Sequence, residues 1–303
     1  MAGNRDRQRR IAREKHRRTL EVRRARQQRV RKRATIVLAS VLAAALIGGV
    51  TFALLPGSPK KKPVAAAKAT PTSSTTTAAT TVAEPAHNCT YTPVTTDVAR
   101  KESLPTSTPD YTASYTATIK TNLGDLKVNL LNSKATCTVS SFVHLAEAGY
   151  FDNTQCHRLV TTGIYVLQCG DPYATATTKL TCSTTNNKVG TGTPGYEFGS
   201  ENLKGSTYPA GTLAMANDGP TASGGPSTTN GSQFFIVYKD STSGLNGTGS
   251  AQYTPFATVS SGLNIVQNVA KAGTSCQVTQ GGQSEGGPPK DKVIINSVSI
   301  QST

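Results

Sequence analysis

Beyond residue 110 the apolar side chains follow two spacings, and each predicts a kind of element. In the run YTASYTATIKTNLGDLKVNLL, residues 111–131, apolar and polar positions alternate on both sides of Asn122-Leu123-Gly124-Asp125, the pattern of a β-hairpin with one face toward a core. Val139, Phe142, Val143 and Ala146 then recur at helical spacing. They predict an amphipathic helix of about ten residues, with Thr136 or Thr138 as N-cap and Gly149 as its stop. Short β-type runs follow at 154–158, 165–168, 212–216, 234–238 and 256–259, separated by loops rich in Gly, Thr, Ser and Asn, with a last strand at 293–300. A second helix is predicted over 262–272, capped by Ser261 and stopped by Gly273. Many short strands and two helices imply a mainly β domain over 111–303. A closed antiparallel barrel plugged by the helices suits this pattern, because closure leaves no sheet edge exposed.

The chain before this domain has a different pattern. Residues 34–55 (ATIVLASVLAAALIGGVTFALL) contain no charge and no proline, and at 1.5 Å per residue they reach across a hydrocarbon core of about 30 Å. This predicts one transmembrane helix. Residues 1–33 hold 15 Lys/Arg against 3 acids, whereas residues 89–303 hold 13 of each, so the basicity of the chain is N-terminal. A span of that length behind some 33 residues reads as a signal anchor rather than a cleaved signal peptide. The charge asymmetry places the N-terminus in the cytoplasm and everything after Pro56 outside. The tail suits anionic lipid headgroups, and the electroneutral domain gives no footprint for nucleic acid. Residues 56–88 are Pro, Thr, Ser and Ala with few large apolar side chains, the composition of a tether. Residues 89–110 complete a linker and pre-domain segment that wraps onto the domain if Cys89 is bridged to it.

Cys89, Cys137, Cys156, Cys169, Cys182 and Cys276 all follow the apolar span. Outside the cytoplasm they predict up to three disulfides among fifteen connectivities, and without a C-x-x-C pair they do not suggest a metal site. The domain has two histidines, of which His144 falls opposite the apolar stripe of its helix and is expected to face solvent. There is no nucleophile elbow and no phosphate-binding G-x-x-x-x-G-K-[ST] loop, which sets aside serine hydrolases and nucleotide enzymes. What remains is an arginine at a strand end (CHR, residues 156–158), a glutamine at another (YVLQCGD, 165–171), the run MAN (215–217) and NGSQFFIVY (230–238). Such a set offers one cation, side-chain amides and apolar surface with no activated nucleophile. It suits binding an apolar group beside a peptide and polarising an amide without cleaving it.

In that order and spacing, CHR, Q-x-GD, GTLAMAN and NGSQFFI resemble the signature of cyclophilin-type peptidyl-prolyl cis-trans isomerases, over residues 113–302. With its anchor the chain is similar to membrane-tethered cyclophilins of actinobacteria. The resemblance implies an eight-stranded cyclophilin barrel and Xaa-Pro isomerisation in secreted or envelope proteins, with no cofactor and no metal. It implies Arg158 as the catalytic arginine, Gln168 as its positioning partner, and Asn217 with Ala216 as the edge that binds substrate backbone. Gln233 would be a further substrate contact and Phe235 the floor of the proline pocket. Tyr165 and Val166 stand where the family usually has Phe and Met, Leu245 falls on its pocket leucine, and Tyr253 on its histidine. The stretch from Arg158 to Gln168 is two residues longer than the common pattern. Gly244 stands where many members place a tryptophan that contacts cyclosporin, which weakens the expectation of cyclosporin binding while leaving the proline pocket. Two other readings compete: a proline-peptide-binding or chaperone module with little turnover, and an inert anchor for a nucleic-acid-binding tail.

Overall fold

The computed structural model describes residues 88–182, 188–221, 225–246, 252–276, 278–280 and 283–302. The basic tail, the span predicted at 34–55 and the linker up to residue 87 lie outside the described residues. Among those described, no helix is long and apolar enough to cross a membrane.

Strands β1 (Tyr91–Pro93), β2 (Tyr115–Thr121), β3 (Gly124–Leu130), β4 (Thr154–Gln155), β5 (Arg158–Val160), β6 (Val166–Cys169) and β7 (Tyr196–Phe198) are followed by β8 (Thr212–Met215), β9 (Phe234–Val237), β10 (Pro255–Ser261), β11 (Val278–Gln280), β12 (Gln283–Gly286) and β13 (Ile294–Ser302). The helices are α1 (Thr136–Glu147), the one-turn α2 (Thr242–Leu245) and α3 (Leu263–Ala272). Nine strands form one curled antiparallel sheet in the order β4-β13-β2-β3-β10-β8-β9-β6-β5. The expected eight strands are thus nine, and among the described residues no ladder joins the two ends of the order. Those ends are nonetheless consecutive in sequence. The single strand expected at 154–158 divides at Cys156 and His157, because Cys156 N–H still bonds the Val293 carbonyl beside β13 while His157 N–H bonds the Gln168 carbonyl of β6. One short stretch therefore supplies both margins of the sheet.

The hairpin forms as expected, Thr121 facing Gly124 across Asn122 and Leu123. Period two sends Leu126, Val128 and Leu130 of β3 inward, all buried, with polar residues between them. The helices fill the mouths of the curl. Phe142 of α1 lies 5.3 Å from the Phe151 ring, 5.8 Å from Phe234 and 5.2 Å from Phe256, centroid to centroid. Val266 and Val269 of α3 line a small interior space with Ile119, Leu126, Leu167 and Ile236. Burial of such side chains is worth about 1.5–3 kcal/mol each before chain entropy is subtracted.

Helix starts differ from the local reading. Neither Thr136 nor Thr138 is the N-cap of α1. That position is Ala135, and the carboxylate of Glu201 accepts hydrogen bonds from Cys137 N–H (3.1 Å), Thr138 N–H (2.8 Å) and the Thr138 hydroxyl (2.8 Å). A negative charge meets the positive end of the helix dipole, which a local cap would have done less strongly. The α3 N-cap is Gly262 rather than Ser261, at φ +91°, where a Cβ would run into the Asp125 carbonyl oxygen. Gly149 and Gly273 do follow the last turns of the two helices, at positive φ of +62° and +81°.

The cysteines pair completely: Cys89–Cys137, Cys156–Cys169 and Cys182–Cys276. The first straps residues 88–110 onto the domain, where β1 pairs with β7 and Arg100 donates to the Gly149 (2.9 Å) and Ala148 (3.1 Å) carbonyls at the end of α1. His144 departs from the expected solvent exposure. It is half-buried under this strap, its Nε2 2.9 Å from the Ser103 carbonyl oxygen and 3.2 Å from the Ser103 hydroxyl.

Candidate active site

The site follows from the alternation on four adjacent strands. On β6, β9 and β8 the inward residues Leu167, Cys169, Phe234, Ile236, Leu213 and Met215 belong to the main core. Their neighbours Val166, Phe235, Val237 and Ala214 face the other way and form a second apolar cluster with Val160, Tyr208 and Leu245. Ala216 and Tyr253 pack at its margin, Tyr253 edge-on to Phe235 with 5.5 Å between ring centroids. The sheet thus carries an apolar patch on its outer face, deep enough that Phe235 is only 4% exposed.

Polar groups run beside the patch as a chain. Arg158 stands opposite Gln168 in the β5–β6 register, and Gln168 opposite Phe235 in the β6–β9 register. The Arg158 Nη1 donates to Gln168 Oε1 (3.0 Å), Gln168 Nε2 donates to Gln233 Oε1 (3.0 Å), and Gln233 Nε2 donates to the Gly192 carbonyl (3.1 Å). Every amide oxygen in this chain accepts and every amide nitrogen donates, so both side-chain flips are fixed by their neighbours. The loop that ends it is held by the buried Asp171, whose carboxylate accepts from Gly190 N–H and from Tyr173 N–H (2.9 Å). Burial raises the Asp171 carboxyl above the ordinary range against those backbone donors.

Asn217 closes the far side. Its side-chain Nδ2 donates to Asn230 Oδ1 (3.1 Å) and to the Gln252 carbonyl (3.0 Å), and its Oδ1 accepts from Gly219 N–H (2.9 Å). The side chain is spent on holding the loop, which leaves the backbone to meet a ligand. Ala216 is fixed from behind by its N–H to the Gln233 carbonyl, 2.9 Å.

The structure therefore brings together Arg158, Gln168, Gln233, Asn217, Ala216, Val166, Phe235, Leu245 and Tyr253. Tyr165 is the exception. One residue from Val166, it falls on the opposite face, packs against the main core beside Tyr238 (6.0 Å between centroids), and has Lys239 Nζ 4.3 Å above its ring. Two departures from the family pattern turn out to be one. The longer stretch after Arg158 brings Gly163 and Ile164 against Gly244, where a Cβ would sit 2.6 Å from the Gly163 carbonyl oxygen and 2.6 Å from Ile164 Cγ2. The extra backbone occupies the space a tryptophan would need. Sequence reading missed Tyr208, whose hydroxyl donates to the Tyr253 carbonyl (2.6 Å) beneath the pocket, and Gly192, which is 41 residues from the glutamine it holds. Asp171 was within reach as the last residue of Q-x-GD.

His157, next to Arg158, is buried with neither ring nitrogen partnered. Burial, and secondarily the Arg158 charge, push its pKa from 6.5 down to about 3. It therefore stays neutral beside the guanidinium. The unfolded chain takes up this proton first, so the stabilisation is complete above about pH 6.5 and is lost as pH falls toward about 3, at about 1.4 kcal/mol per unit. In urea unfolding at about pH 7, 5 and 4, His157→Leu is expected to flatten that slope relative to the parent. Equal slopes would show that the ring is already solvated in the native protein.

Residues 116–300 match the family model for cyclophilin type peptidyl-prolyl cis-trans isomerases. The chain belongs to the cyclophilin family. It is 37% identical over 227 residues to a probable peptidyl-prolyl cis-trans isomerase B of Mycobacterium tuberculosis, covering 70% of this chain and 63% of the relative. It is 38% identical over 230 residues to the corresponding protein of Mycobacterium leprae, covering 70% and 66%. The cyclophilin thus spans just under two thirds of these relatives' length. Among solved structures, a Cryptosporidium parvum cyclophilin type isomerase is 28% identical with a TM-score of 0.47, over 63% of this chain and 99% of that one. The strap at residues 88–110 lies before the family match.

Proposed function

We propose that this cyclophilin domain catalyses cis-trans isomerisation of Xaa-Pro bonds. The observation that carries the reading is the Arg158–Gln168–Gln233 chain standing beside the Phe235 patch. The barrier of about 18–20 kcal/mol comes from amide resonance, and it is highest where the bond is twisted and that resonance is gone. In the twisted state the proline nitrogen becomes pyramidal and basic. Arg158 then donates to it more strongly than to the planar ground state, which is preferential binding of the transition state. Phe235, Val166 and Leu245 hold the ring, the Asn217 backbone anchors the peptide, and the carbonyl before the proline rotates. Shortening tens of seconds to milliseconds takes about 5–6 kcal/mol, within reach of one charge-assisted bond and orientation. No proton is transferred, so neutral His157 leaves the reaction insensitive to pH in the range where that histidine would otherwise titrate.

We further propose that the domain works outside the cytoplasm on secreted or envelope proteins, held by a span at 34–55 whose basic flank lies against anionic lipid. The complete pairing of six cysteines supports an oxidising compartment. The tail fits lipid and topology better than nucleic acid, and cyclosporin is expected to bind poorly because backbone lies against Gly244. Protease added outside intact cells should remove the domain and spare residues 1–33, and the reverse pattern would refute the topology. The activity is tested on refolding limited by proline isomerisation. Catalytic amounts of the full oxidised chain should speed the slow phase, whose rate in water is set by the amide barrier. A slow phase unchanged at concentrations that bind the client would instead make the domain a recognition module.

A further inference from the structure

The walls of the apolar patch are not all held in the same way. Phe235 and Val166 are set by the β6–β9 ladder, whereas Tyr253 belongs to the segment just before β10 and lies in no strand. Its ring nonetheless stands at 80° to Phe235, with 5.5 Å between centroids. A shift of the Tyr253 backbone would therefore change the space beside Phe235 directly, and the position of that backbone needs a cause.

Tyr208 supplies it. The residue precedes β8, is 0% exposed, and packs in the cluster that holds Phe235, Leu245 and Val237. Its own backbone is fixed on both sides: its N–H donates to the Thr242 hydroxyl (2.8 Å) and its carbonyl accepts from Ser241 N–H (3.0 Å), at the start of α2. From this rigid base the phenol reaches under the patch and its hydroxyl donates to the Tyr253 carbonyl, 2.6 Å away. The neighbours of Tyr253 are tied to other elements. The Gln252 carbonyl accepts from Asn217 Nδ2 (3.0 Å) and the Thr254 carbonyl from Met215 N–H (3.0 Å), so the phenol takes the position between them. Burial pushes the Tyr208 phenol up to about 12, which keeps its proton in place as a donor through the neutral range.

Resting on the isomerase reading, we propose that Tyr208 is a positioning residue for substrate binding, which acts through Tyr253 to hold the wall of the proline pocket against Phe235. Being fully buried, it touches neither the peptide nor the bond that twists. Arg158 is set separately, by the β5–β6 register and by Gln168. Loosening Tyr253 thus weakens the grip on the proline ring in the ground state and the transition state alike, and leaves the donor to the twisted nitrogen where it is. A loss of that kind appears in KM and not in kcat.

The test uses the full oxidised chain, one proline peptide, and Tyr208→Phe, which removes the hydroxyl and keeps the ring that fills the cluster. Affinity is read by titration and turnover by exchange spectroscopy. The Kd and KM of Tyr208→Phe should rise about three- to tenfold, the scale of one lost hydrogen bond, with kcat within about twofold of the parent. In a Tyr253→Ala background the same substitution should change Kd by less than about twofold, because the wall it positions is gone. Thermal unfolding of all four proteins separates loss of binding from loss of fold. An unchanged Kd in Tyr208→Phe, or a rise of the same size with and without the Tyr253 ring, would overturn the inference and reduce Tyr208 to core packing. If the parent binds the peptide without speeding its exchange the isomerase reading fails, and the four Kd values still decide the role of Tyr208.

Discussion

Arg158→Ala is expected to lower kcat/KM for Xaa-Pro exchange by about 10²- to 10³-fold, the scale seen when one preorganised donor to a developing charge is removed. The loss should fall mainly on kcat, because the Phe235 patch and the Asn217 backbone proposed to bind the peptide remain. Arg158 is half-buried at a strand start and bonds Gln168 rather than filling the core, so unfolding should shift little. Arg158→Lys should recover only a minor part of the rate. A lysine carries the charge but lacks the planar fork that bonds Gln168 through Nη1. Steady-state exchange rates beside thermal unfolding curves separate these effects. A kcat within about threefold of the parent, with folding intact, would remove Arg158 from the mechanism.

Opening the Cys156–Cys169 disulfide should have the next largest effect. The bridge joins the residue before His157-Arg158 to the residue after Gln168, at the point where the chain leaves β13 and begins pairing with β6. It closes a sequence separation of 13 residues, for which chain entropy gives about 3 kcal/mol. The Cys156→Ala/Cys169→Ala double variant is expected to lose about 2–4 kcal/mol in denaturant unfolding, with most of the change in the midpoint. Its kcat should also fall, since the strand pair that sets Arg158 against Gln168 loses its covalent clamp. Full stability in the double variant would mean that the β4–β5 turn is held by its ladders alone.

The grouping of the candidate site was readable in sequence because each stretch that carries it is short and lies within one strand or its edge. Alternation in VLQC and FFIV already separates a core face from a face carrying Gln168 and Phe235. The same alternation turns Tyr165 away from Val166, against the position that the family pattern implies for it. What the sequence did not carry is anything held from a distance. Glu201 caps α1 from more than sixty residues away, Gly192 fixes Gln233, and Ser103 holds His144. Local propensity cannot reveal such partners, since the contact exists only once the sheet has curled. The strands β1 and β7 were missed for a related reason. At three residues each they are too short to show a period, and their pairing depends on the strap that Cys89 anchors.

The most direct test of the account is the cis-trans exchange rate of one proline peptide, measured by two-dimensional exchange NMR at matched bound fraction for the full chain and for Arg158→Ala. The account predicts fast exchange on the parent and near-background exchange on the variant, with similar affinity for both. A parent that binds the peptide yet leaves its exchange at the rate in free solution would contradict it.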